Sequence, residues 1–386
     1  MRGFLTRGQP AATEAVAAML AAGVPHALLL AGPTGVGKTT LALDLAAGLL
    51  CANPDRAIRP CRSCRACRAL EHGNHPDLHR LAPVGPGAII PIGGGDQRGV
   101  RDLIGELALM PVEGGARVAI VEAAERMTED AQSALLKTLE EPPAGTVLLL
   151  CAEDDERLLP TIRSRCVRIR LGPVPTRAIE EILVEAGVAD APMAARLGRL
   201  SGGRPGAAMA LSVAPDAVRL RDEIARTLLD LLDATRTGRL TGVRDLATRA
   251  AELVRAMQPD RPATAGRGRS SAAAPADPGN DAAAPDAESN ATATATRAPA
   301  AERRAAALAL IAVWRDVVRD AALVGLRAPG RIREPELLED LEAARAWLTP
   351  ERAGSQLRAL DVAGERLEGN VSPELVLDGL ALAWGA

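Results

Sequence analysis

The chain has 386 residues, 47% of them hydrophobic and 25% charged, with a formal net charge of −3. That length predicts two or three domains, each with ample apolar residues for a core, and the near-neutral balance gives bulk electrostatics no part in nucleic-acid binding. One Phe, three Trp and no Tyr argue against base stacking as a binding mode; no apolar run approaches a membrane span, and Met1-Arg2-Gly3-Phe4 lacks a signal-peptide core, so a cytoplasmic location is expected.

Residues 9–22 read as a helix that ends near Gly23 and Pro25. An apolar run from Ala27 to Ala31 reads as a buried strand. It leads into Gly32-Pro33-Thr34-Gly35-Val36-Gly37-Lys38-Thr39, which matches G-x-x-x-x-G-K-[ST] at every position. Leu41, Leu45 and Leu49 then recur at helical spacing. Strand, glycine loop and helix in that order are what a phosphate-binding loop requires. The glycines let consecutive backbone N–H groups face one anion, and the helix N-terminus adds its positive end. Lys38 is expected to reach the β- and γ-phosphates and Thr39 to hold Mg²⁺, with Thr40 beside it. The predicted ligand is a nucleoside triphosphate such as ATP. A chance match in a glycine-rich chain is the alternative.

Cys51, Cys61, Cys64 and Cys67 follow within a 17-residue window, spaced C-x9-C-x2-C-x2-C. In a cytosolic chain, clustered cysteines read as metal ligands before disulfides. Four thiolates close a tetrahedral structural Zn²⁺ site and leave no open catalytic position; free thiols are the alternative. His72, His75 and His79 come next and are read as loop residues. The module stands apart from the phosphate loop in sequence, so its loss is expected to cost stability more than nucleotide affinity.

Residues 82–99 read as loop, and Val100–Leu109 as a helix ended by Met110-Pro111. Ala116–Val121 is a second buried strand, running into Glu122-Ala123-Ala124-Glu125-Arg126-Met127. A strand that ends in carboxylates beside a phosphate loop is where Mg²⁺ and the attacking water are managed. Asp130–Glu141 is a helix stopped by Pro142-Pro143, Thr146–Ala152 a third buried strand, Arg157–Ser164 a short helix and Cys166–Leu171 a fourth strand. The alternation implies a mostly parallel sheet covered on both faces.

Beyond Pro173 and Pro175 the strand pattern disappears. Residues 176–212 hold short helices around Ser201-Gly202-Gly203-Arg204-Pro205-Gly206, and from Pro215 onward the chain reads as helical. Asp216 is expected to cap a helix carrying Leu220, Ile224, Leu228 and Leu231. Further helices fit 240–257, 302–327, 335–348 and 373–384. Between Gln258 and Ala307 there is no Leu, Ile, Val, Met, Phe or Trp, so a disordered insertion at about 258–301 is expected. Leu310, Trp314, Val317, Ala321 and Val324 form a packing seam at 4-3-4-3 spacing.

These stretches together resemble the bacterial DNA polymerase III clamp-loader subunits, of delta-prime rather than gamma/tau type. The likeness rests on Gln9, Pro25-His26-Ala27, the phosphate loop and the four-cysteine insertion. It rests also on Ala134-Leu135-Leu136-Lys137-Thr138-Leu139-Glu140-Glu141-Pro142-Pro143 and on Ser164-Arg165-Cys166. The Ala124-Glu125-Arg126-Met127 and Gly203-Arg204-Pro205-Gly206 wording points to delta-prime. It covers roughly residues 5–210 well and the helical remainder weakly. The resemblance implies α/β followed by all-α: an AAA+ P-loop domain at 1–172 with the zinc module at 51–67, a helical lid at 173–212 and a helical collar at 213–386. It further implies a pentamer with gamma/tau and delta subunits, acting on a sliding clamp and, through the assembly, on primed DNA.

Departures from the motor members set the expected activity. The family's two strand-end acids fall on Glu122, which would organise Mg²⁺, and on Ala123, which cannot polarise water. Its polar sensor falls on Ala152, and its lid arginine on Pro205, with Arg204 one position off. Nucleotide binding with poor hydrolysis is therefore expected. Arg165 is retained, and the resemblance implies an arginine finger acting on a neighbour's nucleotide. Arg163, Arg168 and Arg170 read as a solvated face. Two other readings are a gamma/tau-type motor that hydrolyses ATP itself and a zinc-bearing scaffold without nucleotide.

Overall fold

The computed structural model describes residues 3–83, 88–95, 97–113, 115–257, 299–369 and 371–384. Five parallel strands form one sheet: β1 Ala27–Ala31, β2 Leu78–Leu81, β3 Arg117–Val121, β4 Thr146–Ala152 and β5 Val167–Arg170, in the order β2-β3-β4-β1-β5. β1, β3 and β4 are buried along their whole length. Their near-continuous apolar sequences follow from cover on both faces. Alternate residues serve opposite layers. Leu28, Leu30, Val118, Ile120 and Leu149 pack with helices α1 (Pro10–Ala22), α2 (Lys38–Leu50) and α3 (Arg65–Glu71). Leu29, Ala119, Val121, Leu148 and Leu150 pack with α4 (Val100–Leu107), α5 (Glu129–Glu140) and α6 (Pro160–Arg163).

β2 was not expected, because the sheet edge needs little apolar sequence: in Leu78-His79-Arg80-Leu81 only Leu81 is fully buried. This corrects the reading of His79 as a loop residue. It lies on β2, with Nδ1 2.8 Å from a Glu106 carboxylate oxygen. His75 is buried in the preceding turn, and His72 ends α3.

The rest is helical: α7 Thr176–Glu185, α8 Ala191–Leu200, α9 Pro205–Ser212, α10 Pro215–Asp230, α11 Arg236–Ala256, α12 Ala300–Gly325, α13 Leu338–Ala343, α14 Pro350–Glu368 and α15 Pro373–Ala383. One hydrophobic cluster runs from Val174 to Trp384, and the α12 seam from Leu310 to Val324 is buried within it. Asp216 does not cap α10. Pro215 takes the first helical position, where its missing N–H costs nothing, so the cap falls on Ala214 and Asp216 lies in the first turn. The stretch 335–348 is not one helix but α13 flanked by 3₁₀ turns at Pro335–Leu337 and Ala344–Ala346. α14 was not foreseen, since Gly354 and Gly364 dilute its pattern. The insertion expected at 258–301 lies outside the described residues up to 298, and α12 already begins at Ala300.

Candidate functional site

The phosphate loop is built where β1 meets α2. Gly32 N–H donates to the Ala152 carbonyl on β4 at 3.1 Å, and a Cβ on Gly32 would stand 2.2 Å from the Leu171 carbonyl oxygen. Only glycine fits that approach. Gly35 and Gly37 adopt φ of 80° and 109°, the left-handed region that turns their N–H groups inward. Val36 anchors the loop by burying its side chain in the core. α2 begins at Lys38, so its N-terminus faces a cavity of about 520 Å³.

Thr34, Gly35, Val36, Gly37, Lys38, Thr39, Thr40 and Glu122 all line that cavity. Gly32 and Pro33 do not. Their carbonyls instead accept from Lys38 Nζ at 2.6 and 3.0 Å. Burial pushes the Lys38 ammonium below its ordinary range, against the opposing pull of Glu153, Cys151 and Glu125. Glu122 is engaged by Arg80 of β2, whose Nε and Nη2 stand 3.0 and 2.5 Å from its Oε1. Ala123 takes φ 49° and brings no carboxylate to the cavity. Ala152 is fully buried with only a methyl group to offer.

Several residues of the site carried no signal in the sequence. Leu5, Thr6 and Arg7 form one wall, and Ile182, Ala186, Gly206 and Met209 come over from α7 and α9. Glu125 also lines the cavity and accepts the Glu153 N–H at 3.2 Å. The Glu153 carboxylate in turn holds Thr34, at 2.6 Å from its hydroxyl and 3.4 Å from its N–H. Gly206 N–H donates to the Gly35 carbonyl at 2.9 Å, so α9 sits directly on the phosphate loop. Pro205 lines the cavity. Arg204 turns its Nε to the Ser201 carbonyl at 2.9 Å.

Arg165 lies just beyond α6 and is not among the cavity residues. Its Nη2 stands 2.6 Å from Glu140 Oε1 and its Nη1 2.9 Å from the Thr161 carbonyl, with the side chain 35% exposed. Arg168 and Arg170 are exposed on β5, Arg168 paired with Asp155. Arg163 is only half-buried at the end of α6.

The four cysteines come together from the end of α2, the following loop and the start of α3. Their Sγ atoms lie within 4.8 Å of one another, and Cys51 and Cys64 are 4.0 Å apart. Tetrahedral Zn–S bonds of about 2.3 Å set ligand separations of about 3.8 Å, so this cluster fits such an ion with little adjustment. Cys64 Sγ already accepts the Cys67 N–H at 3.4 Å. The N–H and hydroxyl of Ser63 lower the Cys61 thiol to about 6, while burial pushes the Cys51 and Cys67 thiols up, so a metal would have to displace their protons. Zinc there would cross-link the module and perform no chemistry. The module is tied to the helix that follows the phosphate loop: Arg62, between Cys61 and Cys64, pairs with Asp44 of α2.

A phosphate loop after the first strand of a 5-1-4-3-2 parallel sheet, with helices on both faces and a helical extension, defines an AAA+-type P-loop domain. Residues 8–175 match the family model described as "DNA polymerase III, delta subunit". Over 182 residues the chain is 44% identical to the DNA polymerase III subunit delta' of Pseudomonas aeruginosa, covering 47% of this chain and 53% of that one. It is 39% identical over 193 residues to the delta' subunit of Escherichia coli, covering 48% and 54%. A tau subunit of Salmonella typhimurium matches at 33% over 195 residues, 49% of this chain and 29% of that one. This segment is similar to delta-prime-type clamp-loader subunits, with gamma/tau relatives. It spans about half the length of the curated delta' proteins it matches. A gamma subunit-related protein from Thermotoga maritima overlays 97% of this chain and 99% of its own at 17% identity, with a TM-score of 0.41. Among the described residues no helix is long and apolar enough to cross a membrane.

Proposed function

We propose that the protein is a delta-prime-type subunit of a DNA polymerase III clamp loader, helping the ATP-dependent loading of a sliding clamp onto primed DNA. It assembles with gamma/tau and delta subunits through its helical part, with the chain divided into a P-loop domain at 1–172, a lid at 173–212 and a collar at 213–386. The observation that carries the reading is a complete phosphate loop opening on a cavity, in a segment of delta-prime type. Mg²⁺·ATP would lie along Gly35–Thr40, with Lys38 on the phosphates, Thr39 and Glu122 on the metal side and the apolar Leu5, Ile182 and Met209 side chains at the base.

Hydrolysis by this site is poor, because Ala123 supplies no base and Ala152 no polar sensor. Loss of a positioned base alone removes about 10²–10⁴-fold in rate. Ala123→Glu should nevertheless raise turnover little, since the polar sensor would still be missing at Ala152. Arg165 acts in trans on a nucleotide bound next door. Zn²⁺ on Cys51, Cys61, Cys64 and Cys67 is structural.

Binding, pull-down and turnover measurements test this. Lys38→Ala should abolish MgATP binding by calorimetry while leaving the circular dichroism melt unchanged, since Lys38 faces ligand rather than core. Absence of MgATP binding by wild type, alone or assembled, rejects the nucleotide part. A pull-down that recovers no clamp-loader subunit rejects the assembly. Turnover by the isolated chain at motor-like rates would favour the gamma/tau-type alternative.

A further inference from the structure

Asp44 on α2 is fully buried and gathers donors from two directions. From the N-terminal segment come Leu5 N–H at 2.9 Å, Thr6 N–H at 2.8 Å and the Thr6 hydroxyl at 2.6 Å. From the cysteine module comes the guanidinium of Arg62. Arg62 also donates through Nε to the Gly3 carbonyl at 2.7 Å and stands 3.7 Å from Glu71 of α3. Gly3 itself lies so close to the module that a Cβ there would be 1.9 Å from the Pro60 carbonyl oxygen. Leu5, Thr6 and Arg7 line the proposed nucleotide cavity, and Leu5 is 55% exposed.

Arg62 lies between two candidate metal ligands, directly after Cys61 and two residues before Cys64. Arg62 is held at φ 57°, in the left-handed region that a non-glycine residue adopts at some cost. A bound ion would fix both flanks and hence the direction of the guanidinium. Without that support the strained turn is free to relax, and Asp44 loses its only cationic partner among the described residues. A buried carboxylate stripped of its cation is costly, and the segment carrying its remaining donors is the one that must shift.

We propose that Arg62 and Asp44 are positioning residues that fix the Leu5–Arg7 wall from the metal-bound cysteine cluster, so that nucleotide affinity depends on the metal. This rests on the nucleotide-binding reading above and extends it to how that site is regulated. It makes the cluster a sensor: loss of the ion by chelation or thiol oxidation weakens a site that no cysteine ligand touches.

The test uses the full chain loaded with Co²⁺, whose thiolate absorption reports the cluster independently of nucleotide. Hydrogen exchange at the Leu5 and Thr6 N–H groups and calorimetric titration with MgADP are then compared. Arg62→Ala should keep the cobalt absorption, speed exchange at both N–H groups about tenfold and raise the MgADP Kd about tenfold. Arg62→Lys, which keeps a cationic donor for Asp44, should recover part of both. Metal-free wild type should show the same two changes, an arm that needs no variant to fold. Unchanged exchange at Leu5 and Thr6 in cobalt-loaded Arg62→Ala or in metal-free wild type overturns the proposal, as does faster exchange with an unchanged Kd. Wild type that binds no MgADP while the exchange changes appear overturns the nucleotide reading instead.

Discussion

Glu334 is 4% exposed, and burial raises its carboxyl to about 7 despite the Arg221 guanidinium beside it. Asp222, Asp316 and Asp320 push in the same direction, and Arg221 Nε stands 3.1 Å from Glu334 Oε1. A folded-state value above the ordinary 4.5 means that the folded chain holds more protons across that window. The stability this group contributes is therefore full below about 4.5 and is lost as pH rises toward 7. Glu334→Gln should flatten the decline in melting temperature between those limits. A wild-type profile as flat as the variant's would show that Arg221 outweighs burial. At the cysteine cluster, elemental analysis should find about one zinc per chain with sulfur ligands near 2.3 Å. Cys64→Ser should lower both the metal content and the melting temperature. Metal-free preparations that melt like zinc-loaded ones would count against a structural ion.

Among the elements, α12 is the spine of the helical part. Its Trp314 meets Trp384, which follows α15, edge to face at 5.1 Å and 88°, and Trp384 Nε1 donates to the Leu228 carbonyl on α10 at 3.0 Å. One side chain thus ties the chain's end to two distant helices. Trp384→Ala should cost about 3–5 kcal/mol, read as a shift of the denaturation midpoint. A shift near zero would mean that α15 packs without it. Several elements were legible in the sequence because burial is strong enough to impose a pattern: β1, β3 and β4 are buried throughout, and α12 carries its seam. The elements missed lack it. β2 is an edge strand with a single fully buried residue, and α14 buries mainly Ala353, Leu360, Ala363 and Leu367 among glycines and charges.

At the scale of the whole molecule, the sheet domain meets the helical remainder at few but specific points. Gly206 bonds to the phosphate loop, and Arg157 pairs with Glu368 of α14. Arg165 is not among the residues lining the chain's own cavity and is held by Glu140. Arg165→Ala should leave folding and MgATP binding of this subunit unchanged and reduce ATP turnover by the reconstituted complex. A finger contributes about 10³–10⁵ at the site it serves. Wild-type turnover by the variant complex, with clamp and primed DNA present, would reduce Arg165 to a surface charge.

The phosphate loop and the four-cysteine spacing were set by sequence alone, because each is a local constraint: a backbone turn only glycine can make, and ligands within a few residues of one another. The reading of Ala123 and Ala152 as a lost base and sensor came instead from the resemblance to motor members, not from any local constraint. The rest of the site depended on tertiary structure. Leu5–Arg7 and, from the helical part, Ile182 and Met209 reach the cavity from stretches with no pattern of their own, through contacts such as Leu5 N–H to Asp44 across 39 positions. Such contacts fix no periodicity and demand no residue type at either end. The tie between the cysteine module and the nucleotide wall appears only when the chain closes Arg62 onto Asp44, because a single buried carboxylate looks in sequence like any other polar position on a helix.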